Sequence, residues 1–76
     1  MEQILILEDD IALNQGLCKA LKTENRKIVS CETIKAARDQ LLCGCPSLIL
    51  LDINLPDGSG LDFLQELKRN YPDIPV

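Results

Sequence analysis

The sequence predicts an α/β domain built on a parallel sheet, and three observations carry that expectation. Two apolar runs, Ile4-Leu5-Ile6-Leu7 and Leu48-Ile49-Leu50-Leu51, are continuous rather than alternating, as in strands buried on both faces. Segments of helical period, each with a capping residue at its start, separate the strand-like runs. Both runs end in acid: Glu8-Asp9-Asp10 follows the first and Asp52 the second. Strands alternating with helices pair in parallel through right-handed crossovers, which bring the strand carboxyl ends to one edge.

The first strand is expected over about 3–7, from its unbroken apolar run. Asp10 caps a helix over about 11–23, and is read as a cap in preference to a metal ligand. Leu13, Leu17, Ala20 and Leu21 form one apolar stripe on that helix. Gly16 lies inside it at a cost of about 1 kcal/mol against Ala, which points to a close approach to the sheet or to a partner. Glu24-Asn25-Arg26 is a polar turn, and a second strand over about 27–31 is more polar, hence nearer an edge. Thr33 caps a second helix over about 34–43 whose inner face is Ile34, Ala37 and Leu41. Gly44 ends that helix, and Pro46 opens the run to a third strand over about 48–52. After a Pro/Gly loop, Ser59-Gly60-Leu61-Asp62 fits a capping box, so a third helix is expected over about 60–70. Leu64, Leu67 and Tyr71 lie on one side of it and Pro72 stops it. Asp57, Asp62 and Asp73 are read as turn or cap residues, and Ile74-Pro75-Val76 as the opening of a further strand.

A chain of 76 residues is one domain or less. It buries only about 60–65% of the surface its unfolded form exposes, so its stability is marginal. Hydrophobic content of 46% is too high for a disordered chain, and with Phe63 and Tyr71 as the only aromatics the core is aliphatic. Net charge −4 without a basic run excludes the electrostatic footprint of a nucleic-acid binder. No apolar stretch approaches the roughly 20 residues that span a bilayer. The N-terminus carries no positive charge ahead of its apolar run, which argues against a signal peptide; a cytoplasmic location without membrane association is expected. Cys18, Cys31, Cys43 and Cys45 are then reduced, and Cys43-Gly44-Cys45, with no His in the chain, reads as small apolar filler and a turn rather than a zinc set.

Ligands of parallel sheets bind outside the strand carboxyl ends, where the winding reverses. If the first strand lies between the second and the third, that point falls between the first and third strands, at Glu8, Asp9, Asp10 and Asp52. No Lys or Arg shares those loops, and like charges raise one another's proton affinity. A divalent cation removes the conflict. An oxygen-only donor set favours magnesium or manganese over zinc, with Asp9 and Asp52 as direct ligands and Glu8 acting through water. Such a site suits phosphoryl transfer, and carboxylates are established nucleophiles that form aspartyl phosphates. A phosphoryl group on this His-free chain would end on oxygen.

Two strings, Ile4-Leu5-Ile6-Leu7-Glu8-Asp9-Asp10 and Leu50-Leu51-Asp52-Ile53-Asn54-Leu55-Pro56-Asp57-Gly58-Ser59-Gly60, resemble the receiver domain of bacterial two-component response regulators. The second is the more specific, since acid, Pro and Gly all fall where that family places them. The resemblance covers the whole chain and implies a three-layer, flavodoxin-like fold with sheet order 2-1-3. It implies that Asp52 is the phosphoacceptor, that Glu8 and Asp9 are the acidic pair with Asp9 on the metal, and that the Asn54 backbone carbonyl completes the metal shell. The Asn54 side chain falls where the family tunes loss of the phosphoryl group, and Pro56 and Gly60 shape the loop. The implied donor is a phosphohistidine on a sensor histidine kinase that docks at the first helix, where Leu13 is either an exposed contact or part of the core. Such a domain is a switch rather than a conventional enzyme, at most catalysing its own phosphorylation and dephosphorylation.

Against that family the sequence departs at its end. It lacks the Ser/Thr after a fourth strand, the Lys after a fifth, and the aromatic switch residue. The expectation is a truncated piece of a longer regulator, one that reaches DNA only through an output domain outside these residues and controls transcription in its parent form. The third strand is then an apolar edge, and such edges recruit another chain, so self-association by edge pairing or exchange of elements is expected. Two other readings compete. An aspartate-nucleophile phosphatase of the haloacid dehalogenase type would carry a second Asp where Asn54 stands. A binding-only receiver-like module would not need the acidic trio.

Overall fold

Both apolar runs become neighbouring parallel strands in the computed structural model, which describes residues 2–52 and 54–76, with the side chain of Asn54 excepted. β1 (Glu2–Leu7) is central, flanked by β2 (Arg26–Cys31) and β3 (Leu48–Leu51) in the order β2-β1-β3. Leu7 stands opposite Cys31 on one side and Leu51 on the other, so all three strands finish level at one edge. Three helices, α1 (Ile11–Leu21), α2 (Ile34–Cys43) and α3 (Gly60–Asn70), complete an α/β domain with the expected 2-1-3 sheet. The expected Pro/Gly loop contains more order than its composition suggested. β4 (Asn54–Leu55) and β5 (Gly58–Ser59) form a short antiparallel hairpin with Pro56 and Asp57 at its tip.

Alternation along the strands divides the core into two layers. Leu5, Leu7, Cys31 and Ile49 point to α2 and α3, where they close over Ile34, Ala37, Leu41, Phe63 and Leu67. The α2 face matches the expected Ile34, Ala37 and Leu41. In α3, Leu67 is buried, but its partner is Phe63; Leu64 and Tyr71 lie half-buried at the margin. Phe63 and Leu67 are four residues apart on the helix, and the Arg38 guanidinium covers the Phe63 ring at 5.6 Å from its centroid.

The expected stripe of α1 is corrected. Leu13 is 51% exposed and Ala20 is exposed, while Leu17 and Leu21 are half-buried. The helix is turned so that Asn14, Leu17, Cys18 and Leu21 face the sheet at i, i+3, i+4, i+7 spacing. The reason is that the Asn14 side chain finds four hydrogen-bond partners there (below), so burying a polar group is not penalised. Gly16 makes no close approach: a Cβ added there would meet nothing within 4 Å. The helix stops at Leu21, where Lys22 turns to extended backbone and Thr23 bridges to Arg26. Ile74-Pro75-Val76 is not a strand, yet the Ile49 N–H donates to the Pro75 carbonyl at 3.0 Å, so this segment runs beside β3. All four cysteines are free thiols; Cys31 is in the core, and Cys43 and Cys45 are exposed. No helix among the described residues is long and apolar enough to cross a membrane.

Candidate functional site

The sheet ladder continues one residue beyond the strands and thereby fixes two acids. The Glu8 N–H donates to the Cys31 carbonyl and the Asp52 N–H to the Leu7 carbonyl, each at 3.0 Å. Glu8 then turns the chain into α1. Its Oε1 accepts from the Asp10 N–H at 3.1 Å, and Asp10 Oδ1 accepts from the Leu13 N–H at 3.1 Å as the helix N-cap. Asp10 is thus occupied as a cap, in line with its reading from sequence.

Asn14, which the sequence reading passed over, anchors this turn from below. It is 3% exposed. Its Nδ2 donates to the Glu8 carbonyl at 2.9 Å and to the Cys31 carbonyl at 3.2 Å; its Oδ1 accepts from Ser30 Oγ at 2.5 Å and Cys18 Sγ at 3.4 Å. One buried amide therefore ties α1 to the ends of β1 and β2. The available signal was a polar residue whose spacing to Leu17, Cys18 and Leu21 matches an inward helix face.

These constraints bring Glu8, Asp9 and Asp52 together, with one carboxylate oxygen from each lying within 4.8 Å of the others. Glu8 and Asp52 are half-buried and Asp9 is exposed. The Glu8 carboxyl holds its proton above the usual range. Burial is the main cause, the negative charges of Asp52 and Asp9 add to it, and the bond from the Asp10 N–H works in the opposite direction. The donor set fits a hard divalent cation, being all oxygen and all anionic. Magnesium–oxygen distances of about 2.1 Å put two direct ligands no more than ~4.2 Å apart. The three carboxylate oxygens, all within 4.8 Å of one another, approach that span. A crevice of about 350 Å³, lined by Glu8 and Asp52 with Leu7, Leu17, Leu50 and Leu51, adjoins the carboxylates.

Asn54 opens β4 opposite Ser59; its side chain, and with it the expected tuning role, lies outside the described residues, as does Ile53. Both ends of the hairpin are tied down by caps. Ser59 Oγ accepts from the Asp62 N–H at 3.3 Å at the start of α3. Asp57, expected as a turn or cap residue, is at the turn and also caps α2, accepting from the Ile34 N–H at 3.0 Å and the Lys35 N–H at 3.2 Å.

Three comparisons bear on this arrangement. The family model described as response regulator receiver domain matches residues 4–76. The transcriptional regulatory protein BasR of Escherichia coli (strain K12) is 42% identical over 74 residues, which are 97% of this chain and 33% of BasR. The chain spans about a third of the length of the curated relatives it matches. Among solved structures, the response regulator TrrA of Thermotoga maritima in complex with Mg²⁺-BeF superposes with a TM-score of 0.88 at 28% identity, over 97% of this chain and 64% of TrrA. TrrA in complex with the histidine kinase ThkA gives 0.87 at 28% identity, again over 97% and 64%.

Proposed function

The chain belongs to the response regulator receiver domain family, and from that premise we propose that Asp52 is its phosphoacceptor, beside a divalent-cation site formed by Asp9, Asp52, the Asn54 backbone carbonyl and, through water, Glu8. The convergence of the three carboxylates at the shared strand edge carries this reading. The cation is magnesium, with manganese as a substitute. When bound, it neutralises charge on the group being transferred.

Asp52 supplies the nucleophile. One of its carboxylate oxygens attacks the phosphorus of a phosphohistidine on a sensor histidine kinase; the P–O bond forms as the P–N bond breaks, and the imidazole nitrogen keeps the electron pair. Later attack by water on phosphorus breaks the P–O bond, releases inorganic phosphate and restores the carboxylate. Glu8 and Asp9 place negative charge where the phosphoryl group must arrive, so transfer without a cation meets repulsion from both. On this reading the acyl phosphate is a stored state rather than a turnover intermediate, which makes the domain a switch and not a conventional enzyme.

The kinase partner is supported by the ThkA–TrrA complex, and the cation by TrrA with Mg²⁺-BeF. BasR, a transcriptional regulatory protein, supports a parent protein that acts on DNA through an output domain outside these residues; a cytoplasmic location is part of the same proposal. The 76-residue chain by itself is expected to self-associate. Among the described strands β3 pairs with β1 alone, and beside its outer edge lies an apolar groove of about 320 Å³ lined by Leu50, Leu61, Leu64 and Val76. Light scattering that shows a monomer at high concentration would contradict this.

The deciding experiment is intact-mass measurement after incubation with magnesium and acetyl phosphate or phosphoramidate. A single phosphoryl adduct that Asp52→Asn abolishes supports the phosphoacceptor reading. Rapid multiple turnover of phosphate esters would favour a phosphatase, and no adduct in a longer form of the protein would leave a binding-only module.

A further inference from the structure

The loop that follows Asp52 is folded back onto the start of α2. The Asp57 carboxylate takes the Ile34 N–H on one oxygen and the Lys35 N–H on the other. Thr33 accounts for the next two, its Oγ1 accepting from the Ala36 N–H and its carbonyl from the Ala37 N–H, each at 3.1 Å. The first four amides of α2 are therefore all satisfied, two of them by a residue that lies two elements further along the chain. The match between carboxylate and helix N-terminus holds the Asp57 carboxyl below its usual range; the bond from Ile34 contributes most, followed by that from Lys35. An independent feature points to the same docking. A Cβ on Gly58 would lie 3.0 Å from Ile34 Cδ1, so the hairpin lies flush against α2 where a side chain would press on it.

A hairpin of two residue pairs has little stability of its own. Yet this one begins at Asn54, two residues after the phosphoacceptor, and magnesium demands donors in near-ideal octahedral positions. A backbone donor is only as well placed as the loop that carries it. We propose that Asp57 is a positioning residue for the cation site: by docking the β4–β5 hairpin on the N-terminus of α2, it sets the loop that carries the Asn54 carbonyl. This rests on the cation site proposed above. Its consequence is that magnesium affinity depends on a carboxylate outside the Glu8, Asp9 and Asp52 group.

The test is isothermal titration of the 76-residue chain with Mg²⁺ alone, at a temperature where every variant is folded. Asp57→Ala is compared with Thr33→Ala, because the Thr33 side chain caps the same helix from within its own segment, through the Ala36 N–H. Asp57→Ala is expected to weaken Mg²⁺ binding several-fold. Asp57→Asn, which keeps one acceptor oxygen, should fall between it and the wild type, and it carries the test if the alanine variant does not fold. Gly58→Ala, which presses on Ile34 and leaves the carboxylate in place, should weaken binding slightly. Thr33→Ala should lower thermal stability and leave Mg²⁺ affinity at the wild-type value. Wild-type affinity in the Asp57 variants, or an equal loss in Thr33→Ala, overturns the positioning role alone. A wild-type chain that takes up no Mg²⁺ overturns the cation site and this role with it.

Discussion

Two sets of carboxylates lie on either side of the Asp52 loop, in opposite circumstances. Glu8, Asp9 and Asp52 face one another, and Glu8 holds its proton more tightly than usual, through burial first and its neighbours' charge second. Asp57 and Glu66 face donors. Asp57 receives two backbone amides, and Glu66 receives Arg38 in a two-pronged contact at 2.7 and 2.9 Å that ties α3 to α2. Both hold their protons less tightly than usual, Asp57 mainly through the Ile34 amide and Glu66 mainly through the Arg38 guanidinium. Residues of one chemical type thus divide into acids set mainly against amide and guanidinium donors and acids set mainly against one another, a crowding that the proposed cation would relieve. The first set holds elements together. The second costs stability until that cation arrives.

The largest effect expected from this contrast is a response to magnesium. At a concentration about one hundred times Kd, a ligand that binds only the folded state stabilises it by about 2.7 kcal/mol. Urea unfolding should show a gain of that order in the wild type and in Glu66→Gln, and little gain in Asp9→Asn. A full response in Asp9→Asn would remove Asp9 from the site. Next in size is Asn14→Ala, which leaves the Glu8 and Cys31 carbonyls and the Ser30 hydroxyl short of a partner. A loss of about 1–3 kcal/mol is expected in the same assay, with or without magnesium. Smaller still, Glu8→Gln should raise metal-free stability by roughly 0.5 kcal/mol, as relief of a single partly screened charge repulsion. Glu66→Gln should lower it. Equal signs for the two would break the comparison.

The pH dependence follows with opposite signs. Asp57 and Glu66 have lowered folded-state pKa values, so their stabilisation is present above the ordinary carboxylate values of 3.8 and 4.5 and is lost as pH falls through the depressed ones. Glu8 has a raised value, so its contribution is fully present below 4.5 and is lost as pH rises through the folded-state value. Metal-free stability should therefore climb out of acid and then sag, and magnesium should remove the sag while leaving the acid limb in place. Unfolding curves collected from acid to neutral pH, with and without magnesium, check both limbs.

The strands themselves, and the acids at their ends, were legible because the evidence for them is local and repeated, whereas the sheet order came with the family resemblance. A continuous apolar run ending in acid reads as a buried strand with charge at its end, and the chain carries two of them. The caps Asp10, Thr33 and Ser59 were legible for the same reason, since each acts on an amide three residues ahead. What escaped depends on partners distant in sequence. The facing of α1 turns on Asn14, whose value lies in carbonyls and a hydroxyl from two strands, so an apolar count chose Leu13 instead. The packing of Phe63 depends on α2 above it. The β4–β5 hairpin and the reach of Asp57 to α2 join elements that no window of local sequence contains.

The account turns on one claim, that the acids after β1 and after β3 form a single cation site. Amide NMR during a Mg²⁺ titration tests it most directly. The prediction is that the signals of Glu8, Asp9, Asp10 and Asp52 move together with one shared midpoint, and that Asp9→Asn shifts that midpoint for all of them. Changes confined to one of the two segments, or separate midpoints for Glu8 and Asp52, would contradict it.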